Sequence, residues 1–109
     1  MIQYIYILRC SGQRLYTGYT ANIEKRIKSH IKGNITSKFT RAFKPVRVEA
    51  CWILTGNKSA ALKTEASIKK LKREEKEKLI KNTDLIKNHS PENIPIDLDM
   101  EWTGRELKF

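Results

Sequence analysis

Residues 4–20, YIYILRCSGQRLYTGYT, constrain this chain more than any other stretch. Tyr4, Tyr6 and Leu8 alternate with Ile5 and Ile7 at the period of two that sends successive strand side chains to opposite faces, so this first strand is apolar on both. Ser11-Gly12-Gln13-Arg14 supplies turn chemistry. Leu15-Tyr16-Thr17-Gly18-Tyr19 then resumes a β-branched and aromatic composition, and the whole stretch is expected to be a hairpin. Tyr6 and Tyr16 can meet on one of its faces, either as cross-strand packing or as a pair of chemically useful hydroxyls.

After the hairpin, Thr20 or Asn22 can cap a helix whose apolar positions Ile23, Ile27 and Ile31 recur every fourth residue, and Gly33-Asn34 ends it. Arg26 and His30 share that spacing, which places them along one edge of the apolar stripe, facing the rim of the hairpin. Taken singly they also read as a surface cation and a boundary histidine. Residues 34–45, NITSKFTRAFKP, read as a loop in which cations interleave with Phe39 and Phe43. That composition suits a groove that pairs with phosphates and stacks bases, and equally suits two phenylalanines anchoring the loop.

Val46 to Leu54 alternates and then becomes continuously apolar, as a buried central strand does, with Trp52 in the core. A Gly56-Asn57 break leads into a second helix from Lys58 to about Lys72. On it Glu65, the only acid between Lys58 and Arg73, borders Ala61, Leu62 and Ile68, and is either a surface partner of Lys69 or a functional carboxylate. Glu74 to Ile80 continues as a charged third helix with Lys87 as its outer limit. Residues 1–82 are expected to form one domain. Residues 83–109, broken by Pro91 and Pro95, are expected to be an acidic tail, disordered or docked through Ile94, Ile96, Leu98 and Trp102.

Charge narrows the partners. Between Lys25 and Val48 there is no Asp or Glu, while Lys25, Arg26, Lys28, Lys32, Lys38, Arg41, Lys44 and Arg47 are cationic. Residues 1–81 hold 19 basic and 6 acidic side chains and residues 82–109 hold 3 and 6, so the net charge of +10 is a body of +13 and a tail of -3. A one-sided field of this kind attracts polyanions, nucleic acid first and an anionic membrane surface second, unless it only keeps the protein in solution. Lys28, Lys32, Lys38, Arg41 and Lys44 are the expected nucleic-acid-binding residues. No apolar run reaches the length of a membrane span and no secretory signal is visible, so a cytoplasmic protein with no membrane partner is expected. Cys10 and Cys51 lack a metal-ligand spacing and read as small buried thiols.

In order and spacing, Tyr4-Ile5-Tyr6, Tyr16-Thr17-Gly18, Arg26 and His30 on one helix and Glu65 on a later one resemble the GIY-YIG nuclease family. The likeness is to its small stand-alone bacterial members and runs from about Ile2 to Ile80. It implies an α/β domain with a small three-stranded antiparallel sheet flanked by helices and an active cleft at the hairpin. Tyr6, Tyr16, Arg26, His30 and Glu65 match the family's active positions. Three positions depart from the pattern: Tyr4 stands for the first glycine, Thr17 for the central isoleucine, and the asparagine of a later helix has only Asn82 as a counterpart. No separate DNA-binding domain of the homing-enzyme kind accompanies these residues, which favours structure-selective or weakly selective cutting.

Phosphodiester hydrolysis needs an oriented water, a proton acceptor, a cation facing the pentavalent phosphorus and help for the leaving oxygen. Glu65 can hold one hard divalent ion, Mg²⁺ or another, that keeps most of its waters. Arg26 can contact two phosphate oxygens at once, and His30 can donate or relay a proton near neutral pH. A free phenol with a pKa of about 10 is ionised about one part in a thousand at pH 7, a deficit of roughly 4 kcal/mol that nearby cations must offset. Which tyrosine is the base stays open at this point. The resulting expectation is a monomeric, metal-dependent DNA endonuclease of repair or recombination with no small-molecule cofactor. A non-catalytic DNA- or RNA-binding module that retains the fold is the alternative, and a basic protein-interaction adaptor the third reading.

Overall fold

The structure, a computed structural model, describes residues 2–33, 38–91 and 94–108. Strand β1 (Ile2–Cys10) lies inside the sheet, because a strand apolar on both faces has to be covered on both. It pairs antiparallel with β2 (Arg14–Thr20) and, on its other side, with β3 (Pro45–Thr55). A single 3-10 turn, Ser11–Gln13, closes the hairpin, with Gly12 at φ 75°. Ile5 and Ile7 point to one face with Ala50, Trp52 and Leu54, and Tyr6 and Leu8 to the other with Val48 and Cys51. All these side chains are buried.

Each face receives its own helices. Helix α1 (Ile23–Lys32) covers the Tyr6 face, burying Ile23, Ile27 and His30. Asn22 caps it by accepting from the Lys25 N–H at 3.0 Å, and Gly33 ends it at φ 72°. Helices α3 (Lys58–Lys69) and α4 (Arg73–Lys81) cover the Ile5 face, burying Ala61, Ile68 and Leu79. Arg9 fixes α4 to the sheet: its guanidinium donates to Glu49 on β3 and to Glu77 on α4, each at 2.6 Å, while Arg47 holds the other Glu49 oxygen.

The structure corrects the sequence reading in four places. Four strands form the sheet, in the order β2-β1-β3-β4. The fourth, β4 (Ile96–Leu98), comes from the acidic tail and pairs Ile96 with Leu54 and Leu98 with Trp52. Its signal was three residues long, flanked by Pro95 and Asp99, and what fixes it is the unpaired edge of β3 rather than its own period. Beyond it the Val48 N–H donates to Arg105 O and the Leu107 N–H to Val46 O, both at 2.9 Å, so the tail is docked, with Trp102 and Leu107 buried. Second, the expected loop carries a short helix, α2 (Lys38–Ala42); its residues 34–37 lie outside the described residues. Third, α3 stops at Lys69. Fourth, α4 stops at Lys81, because Asn82 leaves the helical region at φ -129°, and Thr83–Asn88 continue as a 3-10 segment whose Thr83 carbonyl accepts from Trp52 Nε1 at 3.2 Å. Cys10 and Cys51 are buried free thiols. Among the described residues no helix is long and apolar enough to cross a membrane.

Candidate active site

The hairpin register puts Tyr6 directly opposite Gly18. Side chains of such a pair share a face, and only the absence of a Cβ at Gly18 lets the Tyr6 ring lie across the β2 backbone: a Cβ there would stand 2.5 Å from Tyr6 Oη. Tyr16 projects to the same face, its ring centroid 6.4 Å from that of Tyr6. Helix α1 then delivers His30 beneath both, with ring centroids 5.8 Å and 5.4 Å away. Tyr6 Oη and His30 Nε2 share a buried hydrogen bond of 2.9 Å.

Burial sets the electrostatics of this pair. The Tyr6 phenol is pushed well above its ordinary range, first by loss of water and next by Tyr16, with the Arg26 guanidinium acting against both. His30 is pushed down to about 4, again by burial and then by Arg26, so the imidazole is neutral at pH 7. Its Nδ1 has no hydrogen-bond partner among the described residues.

Above this buried layer a cleft of about 460 Å³ opens where the end of β2 runs between α1 and α3. Tyr16 and Gly18 from β2, Arg26 from α1 and Glu65 from α3 line it together. Of the five residues expected to act, Tyr16, Arg26 and Glu65 therefore meet in one opening, while Tyr6 and His30 lie behind it. Glu65 also pairs with Lys69 at 3.6 Å, so the surface-partner reading and the cleft reading describe the same carboxylate. The five expected nucleic-acid-binding cations lie outside the cleft. Lys28 is solvent-exposed and paired with Glu24 at 3.2 Å, Lys32 ends α1, Lys38 and Arg41 are exposed on α2, and Lys44 follows it. Phe39 packs on Tyr16 at 5.8 Å and on Phe43 at 5.3 Å, so these rings anchor the segment beside the site.

The cleft is also lined by Gln3, Tyr19, Thr20, Ala21 and Lys58, none of which was among the expected site residues. Lys58 is the first residue of α3, carried to the opening by the Asn57 cap, which accepts from the Ala60 N–H at 2.9 Å. Gln3 is a polar residue in an otherwise apolar strand, only 4% exposed, and its residual exposure faces the cleft. That polar interruption was the available signal.

Among the described residues no three His, Cys, Asp or Glu side chains come together. The donor set fits a hard divalent ion held by one carboxylate, Glu65, with water filling its other positions, and does not fit a dry multidentate site.

Comparison with known proteins identifies the family. The family profile described as the GIY-YIG catalytic domain matches residues 2–79. The chain belongs to the GIY-YIG family. A UPF0213 protein of Syntrophus aciditrophicus is 46% identical over 78 residues, covering 72% of this chain and 88% of that protein. A UPF0213 protein of Clostridium perfringens is 39% identical over 93 residues, 85% of this chain and 98% of its own. The solution NMR structure of the UPF0213 protein BH0048 from Bacillus halodurans is 38% identical, with a TM-score of 0.49 over 74% of this chain and 84% of that one. The GIY-YIG match ends at Leu79, so β4 and the Trp102 dock lie beyond it.

Proposed function

We propose that this GIY-YIG protein is a metal-dependent endonuclease that hydrolyses phosphodiester bonds in nucleic acid, DNA before RNA, with structure-selective cutting in repair or recombination. The convergence of Tyr16, Arg26 and Glu65, from three separate elements, on one cleft supports this reading most.

A phosphate in the cleft would meet Arg26, whose planar fork matches two phosphate oxygens, and Lys58. Glu65 would hold the divalent ion, which when bound polarises a phosphate oxygen and lowers the pKa of its waters. Tyr16 and Tyr19 both line the cleft, and Tyr16, the one whose ring packs against Tyr6 and His30, is the one we assign as the proton acceptor. Arg26 and Lys58 are the cations that line the cleft beside it. In the reaction a water oxygen bonds to phosphorus, its proton passes to the phenolate form of Tyr16, the bond from phosphorus to the departing sugar oxygen breaks, and that oxygen takes a proton from a water.

Tyr6 and His30 act one layer back. Both are buried, so neither touches the phosphate directly. Their shared hydrogen bond and their ring contacts with Tyr16 hold that ring against β2. His30, neutral at pH 7, is a positioning residue here rather than a titrating one.

The test is incubation of the protein with branched, nicked, single-stranded and duplex substrates in Mg²⁺ and, separately, in EDTA. Cleavage that requires the metal and ranks the substrates by structure supports the proposal. Binding with no cleavage in any divalent metal favours the non-catalytic nucleic-acid-binding module instead.

A further inference from the structure

Strand β2 is an edge strand, and the cleft runs along it from Tyr16 to Thr20. At its near end a second hollow of about 290 Å³ is lined by Arg14, Leu15, Phe39, Leu71, Arg73 and Lys76. Its floor is apolar, since Leu15 and Leu71 are the outer flank of one core and Phe39 the outer flank of the other. Its rim is cationic and poorly neutralised. Lys76 is half-buried with no carboxylate within 4 Å among the described residues, and the loss of water and then its cationic neighbour Lys69 work against its charge. Arg14 stacks on Phe43 at 3.9 Å and donates to the Ser11 carbonyl, again without a carboxylate. Arg73 reaches Glu77 only at 3.9 Å, and Glu77 is already held by Arg9 at 2.6 Å.

Half-burying an unneutralised lysine over an apolar floor is unfavourable unless an anion with an apolar face completes the site. Along β2 the hollow is lined by Arg14 and Leu15 and the cleft by Tyr16 to Thr20, so Leu15 lies one to five residues, about 3 to 17 Å, from the cleft residues, a span that neighbouring nucleotides of one strand cover. We infer that this hollow binds an unpaired nucleotide of the strand being cut, its base against Leu15, Phe39 and Leu71 and its phosphates on Arg14, Arg73 and Lys76. A base inside a continuous duplex cannot reach such a floor, so the hollow selects substrates with an unpaired nucleotide near the cut. This inference rests on the nuclease reading for the word "cut", but its binding component stands apart from it.

The experiment measures affinity in EDTA for a labelled duplex and for the same duplex carrying one unpaired nucleotide, with the parent, Lys76→Ala and Leu71→Ala. Melting temperature is followed in parallel, because Leu71 flanks the core while Lys76 does not. The parent is expected to bind the unpaired form about tenfold tighter, and each variant to bring that ratio toward one with the duplex affinity within about twofold. Equal affinity of the parent for both forms, or variants that weaken both equally, overturns the subsite. A parent that shows the preference and cuts nothing in Mg²⁺ overturns the nuclease reading and leaves the subsite standing.

Discussion

Tyr6 and Gly18 are register partners on adjacent strands, and the phenol of Tyr6 occupies the space a Cβ at position 18 would take, 2.5 Å from its Oη. The tyrosine of the first motif and the glycine of the second thus form one packing unit, and the ring they fix is the one hydrogen-bonded to His30.

Gly18→Ala is therefore expected to displace the Tyr6 ring and to cost about 1–3 kcal/mol, the usual penalty for overpacking. Tyr6→Ala removes the obstacle, so the double variant should be less destabilised than the sum of the two single ones. Denaturant unfolding of all four proteins checks this; additive losses would place the ring elsewhere.

His30 gives a pH signature. Its folded pKa of about 4 lies below its ordinary 6.5, so between those values the unfolded chain takes up a proton that the folded one refuses. Stability should be fully present above pH 6.5 and should fall as pH drops toward 4, by at most about 1.4 kcal/mol per pH unit. His30→Phe should flatten that slope between pH 6.5 and 5, above the range where Glu49, held below its ordinary value against burial by Arg47 and Arg9, and Glu77, held down by Arg9, are protonated. An unchanged slope in the variant would assign the effect to other groups.

Arg9 is expected to be the most costly surface-proximal cation to remove. Its side chain is 12% exposed and that of Glu49 10%, so Arg9→Ala strips a largely buried carboxylate of one of its two cations. A loss of about 3 kcal/mol is expected, against a few tenths of a kcal/mol for Lys28→Ala, whose pair with Glu24 is exposed. Comparable losses in the two variants would contradict the network's role.

Lys38→Ala with Arg41→Ala should make the dependence of log binding constant on log salt shallower by about one to two units on duplex. Both side chains are exposed on α2, which also carries the Phe39 that lines the second hollow. An unchanged slope would move the phosphate-contacting surface away from α2.

The hairpin, the central strand and the first helix were legible because each is fixed by its own residues: alternation in residues 4–8, the four-residue repeat of Ile23, Ile27 and Ile31, and the Asn22 cap. What escaped depended on distant partners. The three residues of β4 form a strand only because β3 has a free edge, and the role of Gly18 follows from its register against Tyr6. Sequence order also gave no sign of depth. Tyr6 and Tyr16 look equivalent as motif residues, yet one is fully buried and the other opens to the cleft, because β1 is central and β2 is an edge. Gln3 and Lys58 entered the site through the sheet and the start of α3, neither of which the motif spacing encodes.

The two tyrosines can be told apart by hydroxyl removal. Tyr16→Phe should lower single-turnover cleavage by about 10²- to 10⁴-fold with little change in melting temperature. Tyr6→Phe should lose the hydrogen bond to His30, at about 1 kcal/mol of stability, with a smaller loss of rate. The reverse ranking would make Tyr6 the proton acceptor.

The most direct measurement is single-turnover cleavage in Mg²⁺ by Glu65→Gln, alongside its nucleic-acid affinity in EDTA and its melting temperature. A rate at least about a hundredfold below the parent is expected, with affinity equal or higher because a negative charge facing phosphates is gone, and with stability changed by only the few tenths of a kcal/mol that the Lys69 pair provides. Cleavage by the Gln variant at the parental rate would contradict the assignment of this cleft as the active site.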